Sequence, residues 1–218
     1  MSEVVVSPQA RDSFKTGKLI NLSDAQLKGT PFRHFVLRHC INPATAAALL
    51  DWFEGSAPWR LVETDFYEQY EFSLFDADMP KLGAALVQSA VLGESQSRMA
   101  AVFGVEFENR VNVVAHRLSP GQRIAIHNDY LAGEETHRLV IQLNRGLRDE
   151  DGGLFMLFNS ADATDVHLVL RPLHLSGLGF EISDRSFHAV SRMHAGNRYT
   201  LVFSFYATPA ARHALRRN

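Results

Sequence analysis

The chain is poor in cysteine and has no long hydrophobic run. A single thiol, Cys40, among 218 residues leaves no partner for an intrachain disulfide, which argues against a disulfide-stapled secreted scaffold. No apolar stretch approaches the roughly 20 residues that span a bilayer, so no transmembrane helix is predicted. Charge of one sign is missing too: 22 Lys and Arg stand against 24 Asp and Glu, for a formal net charge of -2 and a pI near 6.5. Such a surface offers no broad attraction to phosphate backbones or anionic membranes, and nucleic-acid binding is not expected. Obvious internal repeats and low-complexity tracts are absent. The polar start MSEVVVSPQARDSFKTGK lacks the apolar core and cleavage region of a secretory signal, which predicts a soluble, cytoplasmic protein.

What the chain does have is apolar content for one sizeable core: 46% of its residues are hydrophobic, and a single domain over 1–218 is expected. Periodicity changes from helical to strand-like near residue 110. This predicts mainly helical support and a substrate-side segment over 1–109, then a sheet-rich core over 110–207. Asn42 followed by Pro43 is a helix start, with Ala46, Leu49, Leu50 and Phe53 as an apolar stripe before Gly55. A second helical stretch is predicted from Pro80 to Phe103, interrupted around Gly93. Strand candidates follow at RVNVVAHRL, RIAIH, HRLVIQLN, GLFMLF, HLVLRPL, LGFEI, FHAVS and RYTLVFSFY. Eight strands at this spacing fit a jelly roll, an all-β core with α-helical support. Gly152-Gly153 and Gly177 to Gly179 are turn or bulge candidates. Architecture alone leaves open an all-β sandwich without a cofactor.

The chemistry-bearing residues are scattered: His127-Asn128-Asp129, then His188, then Arg198. Two imidazoles and one carboxylate can occupy one face of an octahedral iron and leave positions open for a substrate and dioxygen. His127 and Asp129 lie at the end of the strand RIAIH, where alternate side chains share a face, and His188 lies on a late strand. The competing reading makes His127 and Asp129 polar turn residues. His116, His137, His167, His174 and His194 lack this context and read as surface or satisfied core histidines. Arg198 and Thr200 share one face of RYTLVFSFY and can receive one carboxylate together. A structural ion pair with Glu181 or Asp184 is the alternative.

From about Arg110 to Tyr206 the sequence resembles an iron(II)/2-oxoglutarate-dependent oxygenase of the prolyl-hydroxylase-like group. The matching features are Gly121 six residues before the histidine, the HND triplet, the segments QLN and DGGLFMLF, and FHAVSRMHAGNRYTLVF. This resemblance implies a double-stranded β-helix flanked by N-terminal helices, holding Fe(II) through His127, Asp129 and His188 as metal ligands and catalytic residues. It implies 2-oxoglutarate and O2 as cosubstrates, with Arg198 receiving the distal carboxylate, Thr200 assisting and Gln142 donating a hydrogen bond. The implied reaction hydroxylates an unactivated C–H bond while 2-oxoglutarate becomes succinate and carbon dioxide. Retention of a carboxylate at Asp129 favours hydroxylation over halogen transfer. The chain departs from the group at Gln142 and at Leu118, where relatives often carry tyrosine.

Substrate recognition is the least constrained reading. The segment ETDFYEQYEFSLFDAD mixes acidic and aromatic residues. As one strand it would present Glu63, Asp65 and Tyr67 on a shared face with Tyr70 nearby, suiting an amino-bearing substrate, and Glu134 and Glu135 would add to that field. The alternative is an amphipathic edge strand with solvated carboxylates. The terminal RHALRRN reads as a solvated basic tail. The expected partner is a small-molecule, peptide or protein substrate, most specifically an amino acid or a residue in a chain. Two readings of other classes stand beside the hydroxylase: a non-catalytic jelly-roll protein that binds metal and carboxylate, and a cupin-like metalloenzyme that does not consume oxygen.

Overall fold

The computed structural model describes residues 18–215. Among them, two antiparallel sheets dominate. Strands β1 (His34–Leu37), β2 (Arg60–Glu63), β3 (Glu68–Ser73), β4 (Phe107–Leu118), β6 (His137–Gln142), β9 (Gly177–Glu181) and β11 (Arg198–Ala207) form the larger, in the order β1-β9-β6-β11-β4-β3-β2. Strands β5 (Ile124–His127), β7 (Phe155–Phe158), β8 (Val166–Leu170) and β10 (His188–Val190) form the smaller, in the order β5-β10-β7-β8. Each of the eight strand candidates after residue 110 corresponds to one of β4 to β11. This is the jelly-roll arrangement.

Side-chain alternation assigns each face of the larger sheet its task. Every residue of β11 is buried, so the strand is covered on both sides. Leu201, Phe203 and Phe205 pack with Leu139, Ile141 and Val113 beneath the helices. Val202 joins Val140, Leu178, Phe155, Leu157 and Val190 between the two sheets. At about 1.5–3 kcal/mol for each fully buried large apolar side chain, both layers hold β11 in place.

Helix α1 (Pro43–Gly55) forms where the apolar stripe places it. The Asn42 side chain accepts from the backbone N–H groups of Ala44 and Thr45 at 3.0 and 3.2 Å, and Pro43 occupies the first turn, where a missing N–H costs nothing. Ala46, Leu49, Leu50 and Phe53 are buried against the sheet. The second helical stretch breaks elsewhere than expected. Lys81–Ala84 (α2) runs into a single 3-10 turn, Gln88 is extended, and α3 (Ser89–Phe103) passes through Gly93 without interruption. One glycine inside a helix costs only about 1 kcal/mol, which tertiary packing of Met99 and Phe103 outweighs.

Three further expectations need correction. The region before residue 110 is mixed rather than mainly helical, because β1, β2 and β3 extend the larger sheet at its two edges. Gly177 and Gly179 lie within β9 and make no turn. A Cβ at 179 would stand 2.2 Å from the Phe35 ring, and one at 177 would stand 2.4 Å from the Cys40 sulfur, so glycine there admits side chains from neighbouring segments. Gly152 and Gly153 do turn, with φ of 82° and 69°. Arg212, read from sequence as part of a solvated tail, lies in α4 (Pro209–Leu215) and donates to Ala207 O at 2.7 Å and to Glu108 at 3.1 Å. The rest of that tail, 216–218, and the polar start, 1–17, lie outside the described residues. No helix among those described is long and apolar enough to cross a membrane.

Candidate metal and anion site

Strands β5 and β10 pair so that His127 stands directly opposite His188, with ring centroids 4.2 Å apart. Each imidazole is oriented by its own backbone. His127 Nδ1 lies 2.9 Å from Ala125 O and His188 Nδ1 lies 2.7 Å from Ser186 O. A carbonyl at Nδ1 can hold that nitrogen's proton when a metal takes the other nitrogen, so both histidines turn Nε2 toward the site. Phe66 lies against His127 at 4.7 Å, and Phe155 stacks on His188 at 5.4 Å and 8°, fixing the ring planes.

Asp129 follows β5 with φ 57°, in the left-handed region that aspartate tolerates better than most residues. That turn brings its carboxylate to His127 Nε2 at 3.2 Å and His188 Nε2 at 3.0 Å. The three ligand atoms lie within 4.8 Å of one another. Burial pushes the Asp129 carboxyl up, but the Arg138 guanidinium and the hydrogen bonds from the two histidines outweigh it and hold the group well below the usual carboxylate range. Burial lowers His188, partly offset by Asp129. Two imidazoles and a fixed carboxylate on one side form a donor set that suits a divalent iron with open positions.

The same cavity, about 610 Å³, contains Arg198 and Thr200. Arg198 is 3% exposed, and its Nη1 donates to Thr200 Oγ1 at 3.0 Å. Its Nε and Nη2 have no partner among the described residues. Burial alone lowers its pKa to about 10, which leaves it charged at neutral pH. The ion pairs considered from sequence do not form: Glu181 pairs with Arg33 at 2.8 Å, and Asp184 is exposed beside Arg185. Gly153 makes room for the arginine, since a Cβ there would lie 2.9 Å from Arg198 Cδ. A buried guanidinium with two free donors is a site for a carboxylate.

Other sequence candidates are distributed differently. Gln142 stands beside Thr200 in the β6–β11 register, but its Oε1 accepts from Asn144 Nδ2 at 3.2 Å and the residue does not line the cavity. Glu63 ends β2, and Asp65 lies in the turn between β2 and β3; both are exposed. Tyr70 faces away from the cavity, with Arg117 over its ring at 4.0 Å. Of that group only Tyr67 lines the cavity. The segment is a hairpin and not one strand: Thr64 N–H donates to Tyr67 O at 2.8 Å, and the reversal puts Tyr67, Gln69 and Glu71 on the inner face. Glu134 and Glu135 do line the cavity. His116, set aside from sequence, lines it as well, and burial, with Arg138 and Arg198 nearby, lowers its pKa to about 3. Arg138 was not anticipated; it lies between Asp129 Oδ2, at 2.5 Å, and Glu135. The signal that could have found Arg138 and His116 is strand parity, since both stand in cross-strand register with inward residues of β11.

No family model and no curated protein sequence matches the chain. Solved structures do. A Pseudomonas putida prolyl-4-hydroxylase superposes with a TM-score of 0.65 at 13% identity, over 86% of this chain and 95% of that one. A Trichoplax adhaerens prolyl hydroxylase, solved with a peptide of the hypoxia inducible factor oxygen degradation domain, gives 0.64 at 11% identity, over 93% and 94%. A Burkholderia pseudomallei oxidoreductase of the 2OG-Fe(II) oxygenase family gives 0.55 at 17% identity, over 79% and 85%. The chain has the prolyl-hydroxylase-like fold. Within that fold, the His127–Asp129–His188 group and Arg198 open into one cavity between the two sheets.

Proposed function

We propose that this protein is an iron(II)/2-oxoglutarate-dependent dioxygenase that hydroxylates an unactivated C–H bond of an amino acid or of a residue in a peptide or protein. The observation that carries the reading is Arg198. A buried guanidinium with two unpartnered donors, in the same cavity as two Nε2 atoms and a carboxylate, calls for an anionic ligand that also reaches a metal. A 2-oxo dicarboxylate meets both requirements. His127, Asp129 and His188 would hold the iron, and Arg198 with Thr200 would receive the distal carboxylate. Bound iron and cosubstrate supply the oxidising chemistry, in which one oxygen atom of O2 enters the substrate C–H bond and the other leaves in succinate, with release of carbon dioxide. The chain's own part is orientation: backbone carbonyls fix both imidazoles, and Phe66 and Phe155 cover them. The Trichoplax neighbour's bound peptide supports a peptide among the substrates considered.

Anaerobic titration tests this reading. Fe(II) and 2-oxoglutarate added together should produce the visible charge-transfer band of a chelated complex, each tightening the binding of the other. In air, substrate-dependent succinate formation should accompany a mass gain of one oxygen. A metal- and carboxylate-binding protein without catalysis would bind both and form no succinate. A folded, iron-loaded protein without the band would overturn the proposal.

A further inference from the structure

The wall of the cavity across β4 from Arg198 has the opposite polarity. Gln69 is 2% exposed and lines the cavity, and its Nε2 donates to Glu71 Oε2 at 2.9 Å. That bond fixes the amide orientation, because only the NH2 end can face a carboxylate. Gln69 Oε1 therefore points elsewhere, and it is buried without a partner. The Glu71 carboxylate beside it has no lysine or arginine partner among the described residues. The basic group within ion-pair distance of it among the described residues is His116, at 3.8 Å, which burial keeps neutral. An amide oxygen without a donor and a carboxylate without a cation thus stand together, the only bond between the two side chains being the one from Gln69 Nε2.

Cosubstrate does not satisfy them. The anion expected at Arg198 would repel both an amide oxygen and a carboxylate. Two strand spacings separate β3 from β11, on the order of 10 Å. The cavity as a whole is lined by the carboxylates of Glu71, Asp129, Glu134 and Glu135 against the guanidiniums of Arg138 and Arg198. A divalent iron and a doubly charged 2-oxoglutarate cancel one another and leave that excess of negative charge. Tyr67 lies on the same wall, its hydroxyl pKa raised by burial and by Glu71 and Asp129, and it offers a ring face for a cation.

We propose that the substrate carries a primary ammonium or guanidinium group, which hydrogen-bonds Gln69 Oε1 and the Glu71 carboxylate. The inference rests on the oxygenase reading for what happens next to that substrate, but the cation site itself does not need iron. It also moves the recognition of an amino-bearing substrate from Glu63 and Asp65 to the inward residues of β3.

Calorimetry on the full chain tests it, with and without Fe(II) and 2-oxoglutarate under anaerobic conditions. The probes are lysine and arginine inside short N-acetylated, C-amidated peptides, each beside its neutral counterpart with norleucine or citrulline in its place, together with free L-lysine and L-arginine. A cation should bind at least about tenfold more tightly than its neutral counterpart, as expected for a charge-assisted hydrogen bond. Preference for the free or the blocked form identifies the source as an amino acid or a peptide residue. Glu71→Gln should abolish the preference, and Gln69→Leu should reduce it. Should Glu71→Gln unfold, Gln69→Leu carries the test alone, and an undiminished preference in that variant then overturns the cation site. Equal binding of cations and neutral counterparts, no binding of any probe at millimolar concentration, or an undiminished preference in Glu71→Gln overturns the cation site. If the iron–oxoglutarate band forms while these cations fail, only this inference falls. If cations bind and no band forms, the cation site stands and the oxygenase reading falls.

Discussion

The two faces of β11 are built on the same backbone and do opposite work. Toward the helices it presents Tyr199, Leu201, Phe203 and Phe205, all buried among other apolar groups. Toward the smaller sheet it presents Arg198, Thr200, Val202, Ser204 and Tyr206, all of which line the cavity. A strand anchored on one side by close packing can hold an unpaired charge on the other. The comparison teaches that stability and recognition here are separable by residue parity, and substitutions at adjacent positions should report on different properties.

Phe203→Ala should show the largest change in folding. Removing a fully buried aromatic ring costs about 3–5 kcal/mol, so denaturant unfolding should shift strongly while any protein still folded retains its affinity for iron. On the smaller sheet, His127→Ala or His188→Ala should lower turnover by more than about 100-fold by breaking the donor set, with a much smaller change in unfolding. Wild-type-like turnover in either variant would remove that residue from the metal site.

Arg198→Met divides the faces more sharply. It should weaken 2-oxoglutarate use by about 10- to 100-fold, through loss of charge-assisted bonds, and leave iron affinity without cosubstrate nearly unchanged. The ligand-free variant should be no less stable than the parent, because it removes a buried guanidinium whose Nε and Nη2 lack partners. A large loss of ligand-free stability would show that the arginine is structural.

The dependence on pH should come partly from the packed face. His137 is fully buried between Phe103 and Phe107, and burial lowers its pKa from 6.5 to about 3. The unfolded chain then binds more protons than the folded one between these values. Stability should fall as pH drops below 6.5, by up to about 1.4 kcal/mol per pH unit from this group. His137→Leu should flatten that slope in thermal unfolding measured across mildly acidic pH. The smallest effect is expected for Gln142→Ala, which loosens the Asn144 network beside Thr200 and should raise the oxoglutarate requirement only a few-fold.

The parts of this molecule legible in its sequence were those governed by local alternation. The strands after residue 110 declare themselves because one or both faces are apolar, and the parity of β11 places Arg198 with Thr200 without knowledge of their neighbours. Helix α1 is equally plain, since Asn42, Pro43 and the apolar stripe agree. The segment from Glu63 to Asp78 reads as a single strand, because nothing local marks the reversal at Thr64. With the turn hidden, Glu63 and Asp65 stand out in place of Gln69 and Glu71. Parity puts Arg138 on the inner face of β6, but its pairing with Asp129 is not legible, because Asp129 follows β5 in the other sheet and only the packing of the two sheets brings the two together.

Exposure among the residues that line the cavity ranges from 67% at Leu131 to 3% at Arg198. That range sets what a ligand gives up at each place. A group that reaches Arg198 sheds nearly all of its water, so it must replace those lost hydrogen bonds with the guanidinium, whereas a group held among Phe66, Tyr130 and Leu131 keeps much of its hydration. Discrimination between ligands of similar shape should therefore be sharpest at the arginine and most forgiving at the exposed residues.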